Sequence, residues 1–324
     1  TSALLFTCLA GVSGAQQTVF HEDFEDGLSG WDPQGLWNEE SETDPCGLLV
    51  APFPSPSKAA YYGGAGGNCS YAGELNPSGL TTLDPISIPD AVSSVTLRVW
   101  SYEDAECPSC EWDWRYVFVK IAGGAWNQVG EGTQLQQWYE IVIDLTAYAG
   151  EDILLMFEFN PIDWENNDYF GWMIDDVRIE VEPCSSGTNY CLTSPNSVGS
   201  GAVLAGQGVP SISSNSFTLE AEFAPPGQFG LFFYGPARIQ LPFGDGYRCV
   251  GAGSIGTFRL NPAVLIDSIG VAERLLDFTA PPAGSGPGKI EPGSYWYFQF
   301  WYRDPAGGGS GFNLSDGLCV LFCP

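Results

Sequence analysis

Runs in which apolar and polar residues alternate strictly constrain this chain more than any other feature. Val95-Thr96-Leu97-Arg98-Val99-Trp100-Ser101-Tyr102 alternates with period two, and so does Trp112-Asp113-Trp114-Arg115-Tyr116-Val117-Phe118-Val119-Lys120-Ile121. Successive side chains of a strand point to opposite faces, so this pattern fits half-buried β-strands and does not fit helices. Similar runs cover 18–25, 138–145, 153–160 and 170–181, and weaker ones follow at 216–223, 229–234, 256–260, 273–278, 295–302 and 318–322. The 41 Gly and 24 Pro fall largely between them. That density of breakers leaves no room for long helices but suits short strands joined by turns. The expected fold class is therefore all-β: an antiparallel sandwich followed by a second, smaller β-sandwich.

The chain divides at Glu182-Pro183-Cys184-Ser185-Ser186-Gly187, a turn-rich linker. Residues 16–183 form the expected first domain and 184–324 the second. Residues 32–80, rich in Gly, Pro and Ser, read as long loops with short strands, which a Cys46–Cys69 bridge would tie together. The apolar run Ala3–Val12 followed by Ser13-Gly14-Ala15 reads as a signal peptide over 1–15. With neither an initiator Met nor a basic stretch before it, the sequence reads as clipped at its start. No run approaches the length of a membrane-spanning helix. The expected location is therefore secreted or at the cell surface.

Export permits disulfides. Without Cys8, the candidates are Cys46, Cys69, Cys107, Cys110, Cys184, Cys191, Cys249, Cys319 and Cys323. Nine is odd, so one thiol is expected to be free or to pair with another chain. Cys107-Pro-Ser-Cys110 has redox spacing but sits between two strand-like runs, so it reads as a clip on a hairpin tip. Asn68-Cys69-Ser70 and Asn313-Leu314-Ser315 are glycosylation sequons.

The formal net charge is −28. It is concentrated in residues 16–183, which carry 30 Asp and Glu against 5 Lys and Arg. A polyanion repels phosphate backbones and anionic lipid, so nucleic acid is not an expected partner. It favours divalent cations instead. If the first and last strands of the first domain meet, Glu22, Asp23 and Glu25 come near Asp175 and Asp176. Five carboxylates there would suit Ca2+, a hard ion that takes oxygen ligands. The alternative is that Asp175-Asp176 caps a turn and pairs with Arg178 or Arg98. Aromatics supply a second candidate site: Trp112, Trp114 and Tyr116 share one face of their run, and Trp100 and Tyr102 one face of another. If those faces coincide, a line of rings crosses one sheet and can stack on sugars. The alternative is that these rings fill a core.

Catalysis has little to work with. The single His, His21, denies a Ser-His-Asp triad or a His-rich metal site. Asp163, Glu165 and Asp168 around Trp164 could serve glycoside hydrolysis, but 39 acidic residues make such a cluster expected by chance. The expectation is a protein that is not an enzyme.

The pieces Phe24-Glu25, Gly30-Trp31, Ala60-Tyr61-Tyr62-Gly63, Val95-Thr96-Leu97, Asp144-Leu145-Thr146-Ala147-Tyr148-Ala149-Gly150 and Gly171-Trp172-Met173-Ile174-Asp175-Asp176-Val177 follow in order. In them the first half, about 18–182, resembles jelly-roll modules of the MAM and cleaved-adhesin type. The resemblance implies a two-sheet jelly roll, a binding, adhesion or stabilising role, and structural calcium. The chain departs from the family pattern at Leu36-Trp37-Asn38 and in the Cys107–Cys110 loop. Leu231-Phe232-Phe233-Tyr234-Gly235, Pro242-Phe243-Gly244-Asp245-Gly246, Phe298–Asp304 and Phe312–Gly317 make the second half similar to C-terminal modules of large secreted bacterial proteins. That likeness bears on location, not on chemistry. The favoured function is non-catalytic binding or adhesion, stabilised by calcium, to an extracellular polysaccharide, matrix or surface protein. The alternatives are an envelope or filament subunit that self-assembles, and accessory domains of a secreted hydrolase.

Overall fold

A computed structural model of the chain describes residues 16–65, 67–72, 76–106, 112–133 and 135–323. The expected signal peptide, with Cys8, and the Cys107–Cys110 clip lie outside the described residues. The described chain is all-β, with three short 3-10 turns and no α-helix. No described helix is long and apolar enough to cross a membrane. The chain separates into two compact units, one of residues 16–90 with 94–181, the other of 182–324 with 91–93.

The first unit contains β1 (Gln17–Glu22), β2 (Trp31–Pro33), β3 (Trp37–Ser41), β4 (Lys58–Tyr62), β5 (Ser78–Thr82), β6 (Ile86–Ser87), β7 (Val92–Asp104), β8 (Trp114–Ile121), β9 (Asn127–Glu131), β10 (Tyr139–Asp144), β11 (Asp152–Asn160) and β12 (Gly171–Pro183). One sheet runs β10-β7-β12-β4-β3, with β1 also paired to β12. The other runs β2-β5-β11-β8-β9, with β6 also paired to β11. Aromatic contacts show the two sheets packed face to face: Trp172 of the first meets Phe157 of the second at 5.8 Å, and Tyr62 meets Phe159 at 4.4 Å. The period-two runs thus do what their pattern requires. Val95, Leu97 and Val99 of β7 and Val117 and Val119 of β8 are fully buried, and the residues between them face outward. Trp172 is fully buried and its indole N–H donates to Ser101 Oγ at 2.8 Å, so the polar edge of the ring is satisfied inside the core.

The segment 32–80 holds short strands separated by longer irregular stretches, as expected: β3 and β4 have five residues each, β5 begins at Ser78, and the expected Cys46–Cys69 bridge is present. Phe24, in the alternating run 18–25, is fully buried, but not by strand alternation: β1 ends at Glu22 and Phe24 turns inward at φ 57°.

The second unit contains β13 (Thr188–Tyr190), β14 (Val203–Gln207), β15 (Thr218–Glu222), β16 (Phe229–Gly235), β17 (Ala237–Phe243), β18 (Gly246–Gly251), β19 (Phe258–Arg259), β20 (Val264–Leu265), β21 (Ala272–Leu275), β22 (Tyr295–Arg303) and β23 (Phe312–Leu321). A six-stranded sheet runs β13-β23-β22-β16-β19, with β20 also on β16. It packs against the three-stranded sheet β14-β15-β21 around Phe217, Leu219, Phe232, Tyr234, Phe298 and Phe300. A separate hairpin, β17–β18, was not anticipated from the sequence.

Cys184–Cys323 and Cys191–Cys249 bridge this unit. Cys319 is also disulfide-bonded, and no described cysteine is free. The free thiol expected from the odd count is therefore not found among the described residues. The Asn313 sequon is closed to modification: its side chain is 1% exposed and donates to the carbonyl of Pro195 at 2.9 Å. Asn68, in contrast, is exposed.

Candidate functional site

The five aromatics singled out in the sequence do not form one line. Trp100 and Tyr102 lie on β7 and face out from the first sheet, whereas Trp114 and Tyr116 lie on β8 and face out from the second. The faces do not coincide because β7 and β8 belong to different sheets. Tyr102 packs against Trp138 and Phe170, in a small cluster around the Cys46–Cys69 bridge. Trp112 precedes β8, and the left-handed backbone of Asp113 (φ 55°) breaks the alternation between it and Trp114. Its side chain is 43% exposed.

The outer face of the second sheet nevertheless carries a row of rings. Trp114 and Tyr116 are parallel, with centroids 5.4 Å apart and planes within 8°. Tyr116 meets Phe118 edge-on at 5.8 Å. Strand register sets what lies beside this row. Across β11, Asn160 opposes Trp114, Glu158 opposes Tyr116 and Met156 opposes Phe118. Across β9, Glu131 opposes Tyr116 and Gln128 opposes Phe118. The Glu158 side chain makes no hydrogen bond or ion pair among the described residues, and partial burial raises the pKa of its carboxyl. An aromatic row thus lies between carboxylate and amide groups that can accept or donate hydrogen bonds.

The 161–170 loop follows Asn160, which opposes Trp114, and its Asn166 Nδ2 donates to Glu106 Oε1 at 2.8 Å. This loop holds Trp164, which is 70% exposed. Phe118 and Glu158 were not recognised from the sequence, because their place beside Tyr116 comes from the β8–β11 register.

The expected meeting of first and last strands occurs: β1 pairs with β12, with Glu22 opposite Val177. It does not gather five carboxylates around one point. Glu22 accepts from Phe24 N at 2.9 Å and from the Trp31 indole at 3.0 Å. Asp23 Oδ1 accepts from Glu25 N, and Glu25 accepts from Ser57 N and Oγ and from Lys58 N. Asp176 pairs with His21 at 2.7 Å and Arg178 at 3.5 Å, whereas Arg98 pairs with Glu140 and Glu180.

Asp175 is different. It is fully buried, and burial pushes its carboxyl up to about 7. Ser55 Oγ lies 2.6 Å from Asp175 Oδ1 and 3.2 Å from the main-chain oxygen of Asp23, while Ser55 N donates to Asp175 Oδ2 at 2.8 Å. Among the described residues no group of three or more His, Cys, Asp or Glu side chains could hold a metal ion. The residues therefore do not form the expected carboxylate cage.

No protein-family model matches the chain. Over 161 residues, 49% of this chain, it is 30% identical to Bacillopeptidase F of Bacillus subtilis (strain 168), and it spans only 10% of that protein's length. Among solved structures, the tandem CBM22-1–CBM22-2 domain of Paenibacillus barcinonensis Xyn10C aligns over 97% of this chain and all of its own, at 8% identity and a TM-score of 0.39. The single CBM22-1 xylan-binding domain of the same protein aligns over 54% of this chain and all of its own, at 11% identity and a TM-score of 0.34. TmCBM61 in complex with β-1,4-galactotriose aligns over 48% of this chain and 92% of its own, at 15% identity and a TM-score of 0.32.

Proposed function

We propose that this is a secreted or surface-displayed, non-catalytic protein whose first domain binds polysaccharide across the outer face of the β2-β5-β11-β8-β9 sheet. The observation that carries the reading is the outward row Trp114-Tyr116-Phe118 beside the unpartnered carboxylate of Glu158. Ring faces and edges accept the apolar C–H surface of a sugar, and carboxylates and amides take its hydroxyl hydrogen bonds. Trp100 and Tyr102 lie on the other sheet and are not part of this surface. The likeness to one tenth of Bacillopeptidase F supports the view that such domains also occur within larger proteins, so an accessory role beside a hydrolase fits the same reading. A glycan array probed with and without EDTA tests it: the reading expects binding to an extended saccharide, and a chain that binds no sugar in either condition contradicts it.

Calcium is a separate proposal, narrower than the five-residue expectation. Asp175 and the main-chain oxygen of Asp23 already converge on Ser55 Oγ. A cation would be held by these oxygens and would offset the cost of burying the Asp175 carboxylate. The expected outcome is a melting temperature that rises with added Ca2+ and falls with EDTA, since a ligand of the native state stabilises it. A melting temperature indifferent to both removes the proposal.

A further inference from the structure

The second domain has a built cleft of its own, of about 410 Å³, on the face of its six-stranded sheet that turns away from the core. Strand register places its floor. Leu231 and Phe233 of β16 alternate with the buried Phe232 and Tyr234, Trp301 of β22 opposes Leu231, and Leu314 of β23 opposes Trp301. The β17–β18 hairpin supplies one wall, with Phe243 and Arg248. Thr257 and Arg259, the latter opposite Phe233, supply the other.

The hairpin is fixed there. Gln299 Nε2 donates to the carbonyl of Tyr247 at 2.8 Å, Gln299 Oε1 accepts from Cys249 N at 2.9 Å, and Cys249 is bridged to Cys191. At its tip the Phe312 ring sits where a Cβ on Gly244 would be, 2.2 Å away, and Phe312 in turn leans on Trp301 and Phe243. The wall is thus preformed, which limits the ordering cost of binding.

Charge selects the ligand. Among the described residues no Asp or Glu lines the cleft, in a chain of net charge −28. Elsewhere in this domain Arg238 lies over the Tyr190 ring, Arg274 donates to the Pro262 carbonyl, and Lys289 pairs with Glu291. The guanidinium groups of Arg248 and Arg259 have no ion pair or hydrogen bond among the described residues, and both line this cleft. Planar guanidinium groups recognise carboxylates in a directed, paired fashion. Exposed rings beside them offer stacking surface, and the volume accommodates one or two sugar rings.

We propose that this cleft binds a carboxylate-bearing saccharide, a hexuronic acid unit of an acidic polysaccharide, with Arg248 and Arg259 on the carboxylate and Phe243 and Trp301 against the ring. The site is independent of the aromatic row of the first domain. It is tested on the full chain by calorimetric titration with trigalacturonate, with neutral galactotriose and benzoate as comparison probes. Trigalacturonate binds, galactotriose and benzoate bind at least tenfold more weakly, and added salt weakens the uronate complex. Arg259→Ala, at an exposed position that leaves the core intact, weakens uronate binding roughly tenfold, and Arg248→Ala does so as well. Absence of uronate binding overturns the proposal. So does equal binding of the neutral trisaccharide, tighter binding of benzoate than of uronate, or uronate binding that both arginine variants leave unchanged while melting like the parent.

Discussion

The rings of Trp114 and Tyr116 lie on the solvent side of a sheet whose inner side carries Val117 and Val119, so the rows on the two sides of β8 have separate roles. Removing an outward ring should therefore cost binding more than stability. Trp114→Ala is expected to weaken polysaccharide binding by tenfold or more and to change unfolding free energy by less than about 1 kcal/mol, measured by titration and by urea unfolding. Trp172→Ala should do the reverse: loss of a fully buried indole costs about 3–5 kcal/mol, and the domain should unfold at correspondingly lower urea.

Asp316 supplies a residue-scale test of the second domain. It is 7% exposed, burial pushes its carboxyl up to about 6, and it accepts from Leu204 N and Asn189 Nδ2. An unfolded aspartate titrates near 3.9, so between these pH values the native state holds a proton that the unfolded state has released. Its stabilising contribution is complete below about pH 4 and is lost as pH rises through about 6, a change of about 3 kcal/mol. Calorimetry between pH 4 and 7 should show this fall in the parent, and Asp316→Asn should remove the Asp316 share of it and leave the share that comes from Asp175.

At the scale of elements, the hairpin β17–β18 shows what pins a strand pair to a sheet: the Gln299 side-chain amide, the Tyr190 hydroxyl donating to the Cys249 carbonyl, the Phe312 ring against Phe243, and the Cys191–Cys249 disulfide. That disulfide closes a segment with a sequence separation of 58. Replacing both cysteines by Ser is expected to cost up to about 4 kcal/mol by loop entropy and to speed amide exchange in 237–251 above that in β22. The β-strands with strict alternation were legible in the sequence, because burial of one face imposes period two. The hairpin was not read, although Phe243-Gly244-Asp245-Gly246 carries a two-residue Gly-Asp turn of the hairpin kind. Its strand β17 exposes most of its residues and so lacks the alternation of a core strand.

For the whole molecule, the class of fold followed from pattern and breakers, but the candidate sites depended on long-range pairing. Trp100 and Trp114 look alike in sequence and lie on different sheets, because order within a sandwich does not follow order along the chain. The carboxylates of 22–25 and 175–176 were correctly brought to one region by the β1–β12 pairing, yet main-chain N–H groups, Ser55, Ser57, His21 and Trp31 take up their oxygens. Local donors of that kind leave no trace in residue spacing. The central claim is that the outer face of the β2-β5-β11-β8-β9 sheet binds polysaccharide through Trp114 and Tyr116. Affinity electrophoresis of the parent and of Trp114→Ala/Tyr116→Ala through gels containing soluble polysaccharides tests it most directly. The account predicts that at least one polysaccharide retards the parent, and that the variant, folded and melting like the parent, runs free. A parent that no polysaccharide retards, or a variant retarded as strongly as the parent, would contradict it.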